Sequence, residues 1–183
     1  MGFPKRYAEL AARARVPAGF VVAVAFLAMA RPSWASLAAG GTIALLGLAL
    51  RAWAAGHLAK YECLSTSGPF AHVRNPLYAG TLIVGVGFAL AGARVGIGLL
   101  LVAFFVMLYL PVIEEEESYL RQKFPEYAAY ERRVPRLWPK LSRERFSSGA
   151  RFRFALYARN QEYQALAGFL VMMALLAAKK IYW

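Results

Sequence analysis

The chain has 183 residues, 60% of them hydrophobic and only 17% charged, with a mean hydropathy of +0.43. An ordinary soluble domain carries about 25% charged residues, so composition excludes a disordered chain and argues against a water-soluble globule. The net charge is +12, and all 10 acids are glutamates. With long apolar runs present, that excess fits a face rich in anionic lipid rather than nucleic acid. A single cysteine, Cys63, excludes an internal disulfide and a cysteine-based metal cluster. His57 and His72, fifteen residues apart, make a weak metal site at best.

In chain order, Val16–Ala30 is the first apolar run, and Arg31-Pro32-Ser33 separates it from the second, Trp34–Leu50. Pro76–Ala93 and Val95–Ile113 follow as a third and fourth, and Ala165–Ala178 is a shorter fifth. At 1.5 Å per residue the four longer runs reach roughly 22–28 Å, most of a ~30 Å hydrocarbon core. The fifth spans only if Tyr163 and the terminal Ile181-Tyr182-Trp183 join it, with Lys179 and Lys180 snorkelling outward. Short links between runs one and two, and between three and four, require helical hairpins, because a helix alone satisfies its own backbone in lipid. The fold class is therefore an all-α integral membrane bundle of about five transmembrane helices, with a pocket on its cytoplasmic side. Glycines 40, 41, 47, 80, 85, 87, 92, 96 and 98 lie in or beside the runs, where close helix packing explains them better than a ligand does.

With the N-terminus inside, all but four of the 22 Lys and Arg fall on the cytoplasmic side, the exceptions being Arg31, Arg94, Lys179 and Lys180. The first run, ending in Ala28-Met29-Ala30, imitates a secretory signal. Cleavage there would strip the second run of its hairpin partner, so an uncleaved first span is expected. The chain divides into a basic cytoplasmic N-terminus (1–15), a four-span core (16–113), a cytoplasmic segment (114–140), and a basic linker with a last hydrophobic helix (141–183).

Chemistry is expected where polar residues gather against apolar spans. In Arg74-Asn75-Pro76-Leu77-Tyr78, asparagine is a helix cap and proline fits the first helical position. The amino end of the third span, flanked by Arg74 and Tyr78, could hold an anion or be a plain capped end near headgroups. Glu114-Glu115-Glu116-Glu117 lies directly beyond the fourth run. At 100° per residue, one of the four must face the bundle. Carboxylates are unfavourable at a helix carboxyl end, so the helix should continue to Lys123, pairing Glu117 with Arg121. Beyond Phe124, aromatics and arginines alternate through Tyr127, Tyr130, Arg132, Arg133, Arg136 and Trp138, as at a membrane interface or around a cationic aromatic cofactor. Arg159-Asn160-Gln161-Glu162 reads as an N-terminal cap for the last helix.

Together these residues resemble the isoprenylcysteine carboxyl methyltransferase family, within the membrane phospholipid-methyltransferase-like group. Arg74-Asn75-Pro76-Leu77-Tyr78 is similar to its Arg-His-Pro-x-Tyr element, and Glu116-Glu117-Ser118-Tyr119-Leu120 to its Glu-Glu-x-x-Leu element. Phe124, Tyr127, Tyr130 and Arg133-Val134-Pro135 correspond to the remainder, so the likeness covers about residues 51–139. Asn75 stands where the family has histidine. The resemblance implies methyl transfer from S-adenosylmethionine without a metal. It places Arg74, Asn75, Pro76, Tyr78, Glu116, Glu117, Tyr127 and Tyr130 at the cofactor and Arg133 beside the methyl acceptor. The implied acceptor is amphiphilic and reaches the site from among the membrane lipids, and no nucleic acid is involved. A phospholipid amine is the alternative acceptor, and a non-catalytic membrane scaffold is the rival of another class.

Overall fold

The computed structural model describes residues 3–60, 62–140 and 150–182. Residues 141–149 of the expected linker, and Trp183 at the end of the last run, lie outside the described residues. The described chain is helical without strands. Helix α1 spans Lys5–Met29, α2 Trp34–Ala55, α3 Pro76–Gly92, and α4 Val95–Phe104. A π turn, Phe105–Tyr109, joins α4 to α5 (Leu110–Lys123). The short helices α6 (Tyr127–Arg133) and α7 (Phe154–Arg159) precede α8 (Tyr163–Tyr182). Among the described residues four rods are long and apolar enough to cross a membrane: α1, α2, the continuous Val95–Lys123 rod, and α8; α3 is a shorter apolar helix. The chain is a membrane protein.

Each apolar run is thus a helix, but the ends differ from those of the runs. Helix α1 begins at Lys5 rather than Val16, because Ala, Arg and Glu before Pro17 are good helix formers and Ala8 and Ala11 bury against the bundle. The division at residue 15 falls inside this helix. Helix α8 takes in Tyr163 and Ile181-Tyr182. Lys179 does not snorkel away: its Nζ donates to the Leu27 and Ala28 carbonyls at 2.6 and 2.9 Å, quenching the carboxyl end of α1.

The tightest pair is α2 against α3. A Cβ added at Gly87 would meet the Ala44 nitrogen at 2.5 Å and the Gly40 carbonyl oxygen at 2.6 Å. One at Gly47 would meet the Gly80 oxygen at 2.7 Å, so only glycine permits this backbone approach. Ser33 and Ser36 form a capping box at the start of α2, and Ser36 Oγ also donates to the Ala91 carbonyl at 3.1 Å. The Arg31 amide donates to Gly92 O at 2.9 Å, so both hairpin bends meet at one end of the bundle. At that end Phe26, Leu37, Ile97 and Leu176 form an apolar cluster. The polar residues collect at the opposite end.

The π turn has a local cause. Pro111 cannot donate to the Met107 carbonyl four residues earlier, and the Tyr7 hydroxyl donates to that carbonyl instead, at 2.8 Å. The one sequence signal is Pro111 inside the apolar run, which marks a kink but not its form.

Candidate functional site

Of the four consecutive glutamates, the helical turn buries Glu117 completely, exposes Glu115, and leaves Glu116 half-buried. Glu117 Oε1 accepts a hydrogen bond from Asn75 Nδ2 at 2.9 Å and lies 3.5 Å from Arg74 Nη2. Its Oε2 accepts from Arg136 Nη2 at 2.6 Å and Nε at 3.0 Å, with Arg121 Nη2 at 3.8 Å. A buried carboxylate is tolerated only when paired and hydrogen-bonded in this way. In return, the Glu117 bond holds the Arg136 guanidinium pKa above its ordinary value. Glu117 therefore fastens the start of α3 to the segment after α6.

Backbone bonds run alongside this fastening. The Arg74 amide donates to Pro135 O at 2.8 Å, Asn75 to Arg136 O at 3.2 Å, and Lys140 to His72 O at 2.9 Å. Tyr130 donates its hydroxyl to Phe70 O at 2.8 Å. Tyr127, Tyr130 and Val134 bury together against Leu64, Leu120 and Phe124. Glu131 accepts from Arg121 at 2.8 Å and from Arg74 at 3.1 Å, which holds its carboxyl below the usual carboxylate range against an opposing effect of burial. The expected cap is corrected here. Pro76 does occupy the first turn of α3, but Asn75 makes no side-chain cap; its amide reaches Glu117 and the Arg136 carbonyl instead.

Beside this assembly lies a cavity of about 1100 Å³, walled by α1, α2, α3, α5, α6, the 58–70 loop and the start of α8. Arg74, Tyr78, Glu116, Tyr127 and Tyr130 line it, whereas Asn75, Pro76, Glu117 and Arg133 are not among its lining residues. Asn75 and Glu117 sit in the fastening, Pro76 is fully buried, and Arg133 is exposed on the last turn of α6. Glu116 and Arg15 both stand beside the Tyr78 hydroxyl, and Lys60 adds a further positive charge near Glu116. Burial pushes the Tyr127 and Tyr130 phenols well above their ordinary range, so both remain neutral donors. Two buried donors in the wall have no hydrogen-bond partner among the described residues: Tyr127 Oη and Arg74 Nε. Such groups each cost about 1–3 kcal/mol unless something accepts from them.

Sequence reasoning missed part of the wall. Arg51 donates to both carboxylate oxygens of Glu162, at 2.9 and 2.8 Å, and to Thr81 Oγ1 at 2.5 Å. Asn160 Nδ2 donates to the Ala55 and Leu58 carbonyls at 2.9 and 3.0 Å, so Arg159–Glu162 closes onto the carboxyl end of α2 rather than serving as a cap for α8 alone. Arg51, Asn160 and Glu162 all line the cavity. The usable signal was a lone glutamate at one span boundary facing a lone arginine at another.

A helical membrane bundle whose cavity is walled by arginines, carboxylates and buried tyrosines is the class that fold and site define. Residues 37–127, from α2 to α5 and on to Tyr127, match the phospholipid methyltransferase family. That stretch is thus similar to this family, in line with the resemblance read from its motifs. The chain is 33% identical to the cobalt-zinc-cadmium resistance protein CzcN of Cupriavidus metallidurans, over 65% of this chain and 58% of that protein. It is 30% identical to the nickel-cobalt-cadmium resistance protein NccN of Alcaligenes xylosoxydans xylosoxydans, over 65% of this chain and 59% of that protein. The match thus spans less than two thirds of either relative. No solved structure matches.

Proposed function

We propose that this protein is an S-adenosylmethionine-dependent methyltransferase acting at the cytoplasmic face on an amphiphilic, membrane-embedded acceptor. The observation that carries the reading is the pair of buried, unpartnered donors, Tyr127 Oη and Arg74 Nε, in the wall of a cavity that also holds Glu116. The donor set suits the cofactor. Arg74 and Tyr127 offer hydrogen bonds to a carboxylate, Glu116 can accept from ribose hydroxyls, and the faces of Tyr78 and Tyr130 can stabilise a cation. Bound S-adenosylmethionine supplies an electrophilic methyl group on a sulfonium. The chain's contribution is placement: its residues hold the reactants in line and exclude water, in a geometry where ~1 Å of error is costly. Glu117 acts on this site indirectly, by fixing Arg74 and Arg136.

The family match favours a phospholipid amine as acceptor, alongside the isoprenylcysteine-type carboxylate suggested by the motif likeness. The cavity holds cations, Arg15, Arg51 and Lys60, as well as carboxylates, Glu116 and Glu162, and supports either acceptor. The relatives' names attach to metal resistance. On this reading, a part in metal resistance would run through a methylated membrane component. The test is to incubate native membranes with methyl-labelled S-adenosylmethionine and identify the labelled product. Label in a lipid amine or in a lipid-linked carboxylate selects between the acceptors. No label above that in membranes lacking the protein contradicts the reading and favours the scaffold.

A further inference from the structure

The motif likeness assigns the methyl acceptor to Arg133, but Arg133 is exposed on the last turn of α6 and stands outside the cavity wall. That task is left open. The wall around the start of α8 holds a different charged group. Glu162, with its side chain only 10% exposed, lines the cavity together with Asn160 and Gln164. All three lie beyond the stretch that ends at Tyr127, so they are particular to this chain's carboxyl-terminal part.

Arg51 is committed on every side. Its Nε and Nη2 hold the two oxygens of Glu162, and its Nη1 donates to Thr81 Oγ1 at 2.5 Å and to the Leu77 carbonyl at 3.3 Å. A carboxylate gripped in this way uses one lone pair on each oxygen and keeps the other. Asn160 gives both amide hydrogens to the Ala55 and Leu58 carbonyls, which leaves its Oδ1 as an acceptor. Glu162 and Asn160 therefore offer the cavity acceptors, whereas Tyr127 Oη and Arg74 Nε offer it donors. Stability does not explain the ion pair, because apolar side chains of similar volume generally replace such pairs without loss. Without Arg51, Thr81 Oγ1 still donates to the Leu77 carbonyl, at 3.0 Å.

We propose that Glu162 is the residue that recognises the head of the methyl acceptor, with Arg51 as the residue that positions it. The head it selects carries N–H donors, as in a lipid amine, and is not a lipid-linked carboxylate. This deepens the methyl-acceptor reading above and rests on it. A carboxylate head would set like charge against Glu162 and find Arg51 already taken. An amine head finds the acceptors that Glu162 and Asn160 keep. Because the Arg51 charge balances that of Glu162, the pair reads N–H groups rather than net charge. A quaternary ammonium of equal charge gains nothing there.

The test uses the full chain in nanodiscs of phosphatidylethanolamine and phosphatidylcholine in equal amounts, without S-adenosylmethionine. Native mass spectrometry of the chain released from them reads which lipid stays bound. The two heads carry the same charge and differ in having N–H groups or methyl groups. The wild-type chain should retain phosphatidylethanolamine about tenfold over phosphatidylcholine, the weight of a hydrogen bond to a charged group. Glu162→Gln should erase that preference. Arg51→Lys keeps the charge but cannot hold both carboxylate oxygens, and should give an intermediate ratio. Arg51→Met combined with Glu162→Met removes the pair without stranding a charge, so it should unfold as the wild type does and still show no preference. No preference in the wild type means annular lipid only, and overturns the proposal. A wild-type ratio in Glu162→Gln or in the double variant also overturns it. Methyl-labelled S-adenosylmethionine added to the same nanodiscs separates the two readings. Labelled lipid without an ethanolamine preference removes the head site and keeps methyl transfer, while preference without label or cofactor binding does the reverse.

Discussion

Two adjacent carboxylates carry different tasks, and substitution separates them. Glu117 is fully buried, with bonds to Asn75 and Arg136 and an ion-pair contact to Arg74. Glu117→Gln leaves buried guanidinium charge uncompensated and should destabilise the 72–75 and 134–140 contact by about 3–5 kcal/mol, read by thermal unfolding in detergent. Glu116→Gln should leave unfolding unchanged and weaken S-adenosylmethionine binding by about 1.5–3 kcal/mol. The same behaviour in both variants would contradict the division. Glu131 adds a pH dependence. Its carboxyl is held below the usual range, chiefly by the bond from Arg121. Its contribution is therefore complete above the unfolded value of about 4.3 and is lost as pH falls through the lower folded value. The hydrogen-exchange protection factors of residues 127–136, taken against the intrinsic rate at each pH, should fall below about pH 4 and stay flat from pH 5 to 8, with Glu131→Gln abolishing the acid step. The sequence marked the acidic cluster, because four residues at 100° steps must send one inward. It could not say which one, since the partners that bury Glu117 lie 42 residues before it and 19 after it. Asn75 was legible as a cap for the same reason that this reading failed: local pattern carries no trace of Arg136, 61 residues away.

Among the helices, the α2–α3 contact shows what the apolar pattern could and could not convey. Run lengths located five helices, and the glycines signalled close packing. The split between glycines that pack and glycines that face open space depends on which neighbour stands opposite, and no periodicity records that. Gly87→Val drives a side chain into the Ala44 nitrogen and Gly40 oxygen and should cost about 3 kcal/mol or more. Gly85→Val, two residues earlier on the same helix, enters open space and should change stability by less than about 0.5 kcal/mol. Thermal denaturation of the purified variants decides; equal losses would mean that the two faces of α3 are not distinct. The π turn stayed hidden for a similar reason. Its signal, a proline inside an apolar run, is common to many kinked spans. Only the Tyr7 bond to Met107, across 100 residues, shows how the freed carbonyl is satisfied.

For the whole molecule, the charge distribution and the helix ends agree on one arrangement. Lys179 meets the carboxyl end of α1, and Arg31 meets the carboxyl end of α3, so the polar cavity stands at the other end of the bundle, where most of the basic residues lie. The basic excess predicts that this end faces the cytoplasm. Cys63, exposed and in the loop beside the cavity, is a built-in reporter. A membrane-impermeant maleimide should label it in inverted vesicles and not in intact cells, and the opposite pattern would reverse the orientation. The central claim is that the polar cavity holds S-adenosylmethionine through donors that are otherwise unpartnered. Calorimetric titration of S-adenosylmethionine into the full chain in nanodiscs, beside Tyr127→Phe, tests it most directly. The account predicts a single site in the wild-type chain and about tenfold weaker binding once the Tyr127 hydroxyl is removed. Absence of binding by the folded wild-type chain, or equal affinity in the two proteins, would contradict it.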